Sequence, residues 1–229
     1  MLDVLVIAPH PDDAEIGMGG SIALMRSEGL RVGIVELTDG EPTPAGSRDA
    51  RGRETEAATR VLGIEWRRCL GLPNRSLEHT LDARWSLAGV IRETRPRVLF
   101  APFWEDSHPD HVAATKLVEA ARFWAKLSKS DLPGEPHLAE RVYYYYSLHL
   151  RLHERPSFVL DISQHIETKI EAVNCFESQF SSSARTDGPA MIDDLRARAR
   201  YWGWSIGAAH GEPFASRESV GLRGLKPLL

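Results

Sequence analysis

The sequence predicts an α/β fold in which helices cover both faces of one open, mostly parallel sheet. Apolar, β-branched runs such as 4–8 alternate with segments of helical spacing. A continuously apolar run is typical of a parallel strand that is buried on both faces. Because strand and helix alternate, right-handed crossovers are expected, and we predict the common strand order 3-2-1-4-5.

The elements follow one another with clear end signals. Gly29 and Gly63 stand where a left-handed residue commonly ends a helix, and Pro96 stops another helix. Glycines 17, 19 and 20 do not fit GxGxxG, so we expect a turn there that serves close packing or substrate approach rather than a dinucleotide. Predicted strands are 4–8, 32–37, 65–70, 97–101, 142–147 and 157–162, and predicted helices are 21–27, 49–62, 81–95, 111–126, 164–180 and 187–206.

Composition favours a single domain over residues 1–229. The chain is 42% hydrophobic and 26% charged, with a net charge of -4, which offers no basic field for nucleic acid or an anionic membrane. Cys69 and Cys175 form no CxxC pair and suit a reducing compartment. The N-terminus has no signal-peptide pattern and no run is long enough to span a bilayer, so a cytoplasmic location is expected.

Two polar strings follow two of the predicted strands. His10-Pro11-Asp12-Asp13 comes after strand one, and His108-Pro109-Asp110-His111 comes after strand four. In the predicted order these strands are neighbours, and ligands bind outside the carboxyl ends of strands where the chain direction reverses. We therefore expect the two strings to meet and to form an active site there.

The residue types suit a hydrolytic metal site. His10, Asp13 and His111 supply two imidazoles and one carboxylate and leave a coordination position open. Such a set without thiolate suits zinc, although Fe(II), Co(II) or Mn(II) would accept similar ligands. Zinc lowers the pKa of its bound water to about 7.

The remaining polar residues receive catalytic roles. Asp12 is a second carboxylate and the candidate general base. His108 could stabilise an oxyanion or act as an acid, and Asp110 would hold an imidazole in the required tautomer. Arg51, although assigned with Arg53 and Arg60 to a solvated helix face, could reach a carboxylate or a sugar hydroxyl.

Other interpretations stay open. HPDD alone could be a turn with a helix N-cap, and HPDH alone is also good turn material. For the two strings together, the remaining alternative is a structural metal site or a polar hydrogen-bond network. A metal-dependent phosphoesterase would need more ligands for a second ion, and a sugar-binding or metal-storage module would leave Asp12 without a role. We expect the tyrosines at 143–146 to pack in the sheet, and five histidines to be surface residues: His79, His137, His149, His153 and His165.

The motifs resemble a known family. HPDD after strand one, Leu37-Thr38-Asp39-Gly40-Glu41, Arg51-x-x-Glu54 and HPDH are similar to the LmbE-like (PIG-L) zinc deacetylases, which act on N-acetylglucosamine conjugates. The segments 177–180 (ESQF) and 211–214 (GEPF) resemble the bacillithiol-biosynthesis branch, which deacetylates N-acetylglucosaminyl malate.

The resemblance implies a Rossmann-like three-layer sandwich, a small amino-sugar substrate and a homo-oligomer, frequently a hexamer. It implies that Asp110 orients His108 and that Arg51 contacts the substrate. It also implies zinc ligands at His10, Asp13 and His111, a general base at Asp12, and assistance by His108 at the oxyanion or leaving group. The chain departs from that branch at Asp39 and His210, which puts the aglycone in doubt.

Overall fold

Seven strands form one sheet in the computed structural model, which describes residues 1–150, 155–180 and 190–221. The strands are β1 (Val4–Ala8), β2 (Val32–Glu36), β3 (Trp66–Cys69), β4 (Val98–Pro102), β5 (Arg141–Tyr145), β6 (Phe158–Asp161) and β7 (Gly211–Ala215). The strand order is β3-β2-β1-β4-β5-β7-β6. The first five strands are parallel, and β7 runs antiparallel to both of its neighbours.

Helices cover the two faces of this sheet. They are α1 (Asp13–Ser27), α2 (Arg48–Leu62), α3 (Leu81–Thr94), α4 (Pro109–Ala125), α5 (Ile166–Asn174), α6 (Glu177–Phe180) and α7 (Met191–Ser205). Leu5 and Ile7 of β1 point to the layer that contains α3 and α4, whereas Val4 and Val6 point to the layer that contains α1, α2 and α5. The mostly parallel α/β class and the order 3-2-1-4-5 are therefore confirmed.

Helix α1 begins earlier than the sequence predicts. The expected turn at residues 17–20 lies inside the helix, which is kinked at Met18 (φ -150°). A side chain at Gly17 would overlap the ring of Tyr145, and a Cβ at Gly20 would lie 2.6 Å from Cδ1 of Ile162. The glycines thus let α1 lie close against the sheet, which agrees with a packing role for them.

The second half of the chain differs more from the prediction. Strand β7 was missed because Gly211 and Pro213 are unfavourable strand residues in general; at the far side of the sheet, β7 pairs with β5 and β6. The predicted helix over 164–180 is divided into α5 and α6. The helix predicted over 187–206 corresponds to α7, which begins at Met191. Residues 187–189, like His153, lie outside the described residues.

Among the described residues, no helix combines the length and the apolar character that crossing a membrane requires.

The close approach of α1 to β5 predicts the effect of an added methyl group. Gly17→Ala should lower the free energy of unfolding by about 1–3 kcal/mol, because the methyl would force Tyr145 out of its position. Gly52→Ala is the matched control, since Gly52 lies on α2 with open space around it and should gain up to about 1 kcal/mol from helix propensity. Urea denaturation measures both. Equal effects of the two substitutions would contradict the packing role.

Candidate metal centre

The two polar strings lie side by side at the carboxyl ends of β1 and β4. These strands are paired in parallel, with Val6 opposite Phe100. The first string turns directly into α1, whose first helical residue is Asp13. The second turns into α4, with Pro109 in its first turn, where proline's fixed φ is favourable.

Three side chains converge on one point. Nδ1 of His10 lies 3.0 Å from Oδ2 of Asp13, and Nε2 of His111 lies 3.3 Å from the same oxygen. One potential ligand atom of each residue lies within 4.8 Å of the others. Two imidazole nitrogens and a carboxylate oxygen thus face a common centre.

In each imidazole, the ring nitrogen that points away from Asp13 is hydrogen-bonded to a carboxylate. Nε2 of His10 donates to Oδ2 of Asp110 at 3.1 Å, and Nδ1 of His111 donates to Oδ2 of Asp106 at 2.9 Å. Ser147 in turn donates its hydroxyl hydrogen to Asp106. Hydrogen bonds of this kind fix the tautomer, so the lone pairs of both imidazoles point toward Asp13.

Asp110 orients His10 and not His108. Besides His10, its carboxylate accepts the backbone N–H groups of Arg75 at 2.7 Å and Leu77 at 3.1 Å. His108 contacts Asp110 through the backbone only, since its Nδ1 accepts the N–H of Asp110 at 3.2 Å. The expectation that Asp110 orients His108 is therefore corrected to His10, because the carboxylate turns toward the first string.

The donor set fits a divalent metal ion. Nε2 of His111 is buried and has no hydrogen-bond partner among the described residues, which is costly for a polar atom unless a ligand satisfies it. A second geometric group, His10 with His108 and Asp110, fits less well because the Asp110 oxygens already accept three hydrogen bonds. Nitrogen and oxygen ligands without thiolate suit zinc and its neighbours in the first transition series.

The electrostatics of the cluster also favour a cation. Burial opposes the charge of Asp13, but the imidazoles of His111 and His10 hold the pKa of this carboxyl well below its usual range. Burial disfavours the imidazolium of His111, yet Asp13 and Asp106 raise its pKa to about 10. Without a metal, protons would therefore supply the positive charge that the carboxylates attract.

Asp12 stands apart from the three converging ligands. It occupies the N-cap position of α1, but its side chain makes no capping hydrogen bond, so the interpretation as a simple helix cap is wrong for this residue. Its backbone is left-handed (φ 105°), which costs a residue other than glycine about 1–3 kcal/mol. Burial raises the pKa of Asp12 to about 7, and the opposing charge of Arg51 lowers it only in part.

Arg51 lies inside the site and not on a solvated face. It is 4% exposed, and its Nη2 lies 3.4 Å from Oδ2 of Asp12. Its Nε, 4.0 Å from Glu41, and its Nη1 are buried without a hydrogen-bond partner among the described residues. Its guanidinium lies 5.6 Å from the ring centroid of Phe176. The start of α2 thus turns Arg51 toward Asp12.

Sequence reasoning missed two residues at the centre. Asp106 was not considered, although it precedes the second string in the same loop and anchors His111. His149 is exposed, as expected, yet its ring lies 5.0 Å from that of His111 and 5.4 Å from that of His108. No spacing rule points to His149, because it arrives from the segment after β5.

The two positions that depart from the related branch lie outside the converging ligands. Asp39 pairs with Arg48 at 2.8 Å on the outer side of the loop after β2. His210 lies beside the start of β7, where its backbone N–H donates to Ser163. Neither side chain contacts the described metal cluster.

The anchoring of His10 predicts a measurable effect on metal affinity. Asp110→Asn should weaken zinc binding about 10–100-fold while leaving all three ligands in place, because the imidazole loses a charged partner. The matched control is Asp161→Asn, which removes an exposed carboxylate on β6 and should leave affinity unchanged. Competition with a chromophoric chelator gives the dissociation constants. Equal affinities in the two variants would show that Asp110 does not tune the ligand.

Comparison with known proteins gives relatives over most of the chain. Diacetylchitobiose deacetylase of Thermococcus kodakarensis is 33% identical and aligns with 91% of this chain and 80% of its own length. The crystal structure of the conserved protein TT1542 from Thermus thermophilus is 41% identical, covers 97% of each chain and has a TM-score of 0.89. N,N'-diacetylchitobiose deacetylase from Pyrococcus horikoshii, solved with its inhibitor MPG, is 29% identical with a TM-score of 0.78, over 92% of this chain and 82% of that one.

Other relatives differ in the molecule named in their descriptions. A probable N-acetyl-α-D-glucosaminyl L-malate deacetylase 2 of Bacillus anthracis is 26% identical over 87% of this chain and 93% of its own length. A 1D-myo-inositol 2-acetamido-2-deoxy-α-D-glucopyranoside deacetylase of Thermobifida fusca is 28% identical, but this chain spans only 60% of its length. A 4-oxalmesaconate hydratase of Pseudomonas putida is 29% identical over 76% of this chain and 73% of its own.

A family model described as PIG-L, GlcNAc-PI de-N-acetylase, matches residues 5–122, the segment that contains both polar strings. Together with the 33% identical relative that aligns with 91% of this chain, this match shows that the chain belongs to the PIG-L family of de-N-acetylases.

Proposed function

We propose that this protein hydrolyses the acetamide of an N-acetylglucosamine conjugate, with N-acetylglucosaminyl malate, the bacillithiol precursor, as the substrate. One observation carries the proposal. The buried Nε2 of His111, which has no hydrogen-bond partner among the described residues, faces Asp13 and His10, while Asp12 stands beside them, makes no helix-capping hydrogen bond and pairs with Arg51. A metal-binding set with an adjacent spare carboxylate is what amide hydrolysis requires.

His10, Asp13 and His111 would hold the metal ion, with zinc as the proposed identity. A divalent ion bound there supplies Lewis acidity, which polarises a carbonyl and lowers the pKa of water. The anchoring carboxylates Asp106 and Asp110 keep the two imidazoles in place during turnover.

Asp12 is the proposed general base. It takes a proton from the attacking water as the water oxygen bonds to the acetyl carbon, and it passes that proton to the amine nitrogen as the C–N bond breaks. Acetate and a free amine are the products. Arg51, 3.4 Å from Asp12, keeps the carboxylate oriented and retains unpartnered donors for a substrate oxygen.

His108 is the proposed donor to the oxyanion. Its Nδ1 accepts the backbone N–H of Asp110, so the neutral ring carries its hydrogen on Nε2. Burial and the neighbouring imidazoles of His10 and His111 lower the pKa of His108, which favours this neutral form. A fixed N–H donor stabilises the negative charge that develops on a carbonyl oxygen.

Contacts of the late ESQF motif support an aglycone that bears a carboxylate. Glu54 accepts the backbone N–H of Ser178 at 2.7 Å and its hydroxyl hydrogen at 2.8 Å, which fixes α6 against α2. Gln179 donates to Thr43 in the loop after β2 at 3.2 Å. The motif that resembles the malate branch therefore lies against α2 and the loop after β2. Arg51 of α2 is paired with Asp12, but its Nε and Nη1 have no hydrogen-bond partner among the described residues, which favours an anion there.

We also propose a cytoplasmic homo-oligomer. Two free cysteines support the reducing compartment, and the family resemblance supports the assembly. Sedimentation analysis of the purified protein gives the oligomeric state.

Acetate release tests the reaction directly. The zinc-loaded protein should release acetate from N-acetylglucosaminyl malate with a higher kcat/KM than from diacetylchitobiose or the inositol conjugate, at one metal ion per chain. Release of acetate from diacetylchitobiose alone would show that the proposed substrate is wrong and would leave the proposed reaction unchanged. Two ions per chain with phosphate-ester cleavage would favour a phosphoesterase, hydration of an unsaturated dicarboxylate would favour a hydratase, and sugar binding without any turnover would favour a binding module.

The role of Asp12 predicts a separation of turnover from metal binding. Asp12→Asn should reduce kcat by about 10²–10⁴-fold because the base is lost, while the zinc content stays at the wild-type value. Asparagine has the same shape and tolerates the left-handed backbone of this position. Asp13→Asn is the contrasting variant and should lose metal as well. Near-normal deacetylation by Asp12→Asn would show that another group is the base.

A further inference from the structure

We infer that Arg75 is a specificity-determining residue that binds a carboxylate on the aglycone of the substrate. This inference rests on the proposed deacetylation and extends it to the outer part of the site.

Arg75 lies between the metal cluster and the loop after β2. Its backbone N–H donates to Oδ2 of Asp110 at 2.7 Å, and the same oxygen accepts Nε2–H of His10. Its guanidinium Nη2 reaches the carbonyl of Pro42 at 2.5 Å. Pro42 follows Glu41, whose carboxylate faces Arg51. Arg75 thus connects the part of the site around Asp110 with the loop after β2. We call the two exposed residues Arg75 and Pro42 the rim of the site.

The backbone of Arg75 supports a role for its side chain beyond occupying a turn. Its φ is 63°, a left-handed conformation that glycine would adopt at less cost. Glycine would also supply the N–H that Asp110 accepts. An arginine in this strained position is therefore unnecessary for anchoring Asp110, and a role of the guanidinium accounts for it.

Among the described residues, no opposite charge compensates the guanidinium of Arg75. In the described part of the chain, no carboxylate lies within ion-pair distance of it, and Pro42 accepts its one side-chain hydrogen bond. Arg48, at the start of α2, is by contrast paired with Asp39 at 2.8 Å. Four of the five N–H donors of Arg75 remain available, and their planar fork matches a carboxylate.

The position at the rim indicates which part of the substrate Arg75 meets. The acetamide must reach the cluster around Asp13 and the base Asp12, so the sugar and its aglycone extend outward. A cation on an exposed part of the rim favours an anionic aglycone over the neutral inositol or a second sugar. Arg75 thereby sets preference among conjugates, and the inner residues perform the reaction.

Three substitutions separate the side chain from the backbone. Arg75→Met retains an unbranched stem of similar length without the charge, and Arg75→Gly retains the N–H to Asp110 and relieves the strain. Arg53→Met is the matched control, because Arg53 is an exposed arginine on α2. For the zinc-loaded variants, kcat/KM is measured with N-acetylglucosaminyl malate and with diacetylchitobiose.

Both Arg75 variants should lose about 10–100-fold in kcat/KM toward the malate conjugate, mainly through KM, because a charge-assisted hydrogen bond is lost. Turnover of diacetylchitobiose should stay within about twofold, and Arg53→Met should match the wild type on both substrates. Equal losses on both substrates, or full activity of Arg75→Gly on the malate conjugate, would overturn the inference.

A binding measurement keeps this outcome distinct from failure of the proposed function. Glucosaminyl malate, the deacetylated product, is titrated calorimetrically into wild-type and Arg75→Met protein, so turnover is not required. An affinity of the variant that is about 10–100-fold weaker supports the role of Arg75 even if no acetate is released in the activity assay. Equal affinity, or no binding to the wild type, overturns it.

Discussion

The parallel pairing of β1 with β4 is the contact on which the site depends. It aligns the ends of two strands that are distant in sequence, so that each turn into a helix delivers its imidazole and carboxylate groups to the same place. The close fit of α1 on β5 supports this arrangement, because Asp13 is the first residue of α1 and moves with it. A shift of either helix would separate His111 from Asp13.

The balance of charge at the centre explains why its residues tolerate burial. Asp13, Asp106 and Asp110 bring more negative charge than a buried site can hold alone; two imidazoles pair with them, and a bound cation would complete the balance. Each carboxylate has a separate role. Asp13 faces the ligand position, whereas Asp106 and Asp110 hold the far nitrogens of His111 and His10. Asp12 is in none of these contacts and pairs with Arg51 instead, which leaves it available for the proton transfer proposed above.

The metal cluster is rich in carboxylates, whereas the residues around it include two arginines. Arg51 lies in the inner wall and Arg75 on the rim, and both retain donors that the described residues do not satisfy. A substrate that presents a polar acetamide inward and an anionic group outward matches this gradient. In the proposed function, the metal cluster and Asp12 perform the reaction, and the residues around them select the group that is attached to the sugar.

Sequence patterns predicted the order of the first five strands, which the structure confirms, and the meeting of His10, Asp13 and His111 at the ends of β1 and β4. Apolar runs indicate burial on both faces directly, and a topological rule then brings together residues that no local pattern connects.

The remaining contacts of the site depend on how the elements pack in the folded chain. The contacts of Asp106 and His149 with His111 form only when the loops come together in the folded chain. Asp110 binds His10 because its carboxylate points from the second string toward the first. Arginine is a residue type usually found on solvated helix faces, so the burial of Arg51 became evident only from its contacts with Phe176 and Asp12. Short-range sequence patterns encode which face of a segment is apolar, whereas the partner of a polar side chain depends on distances between elements, which only the folded chain sets.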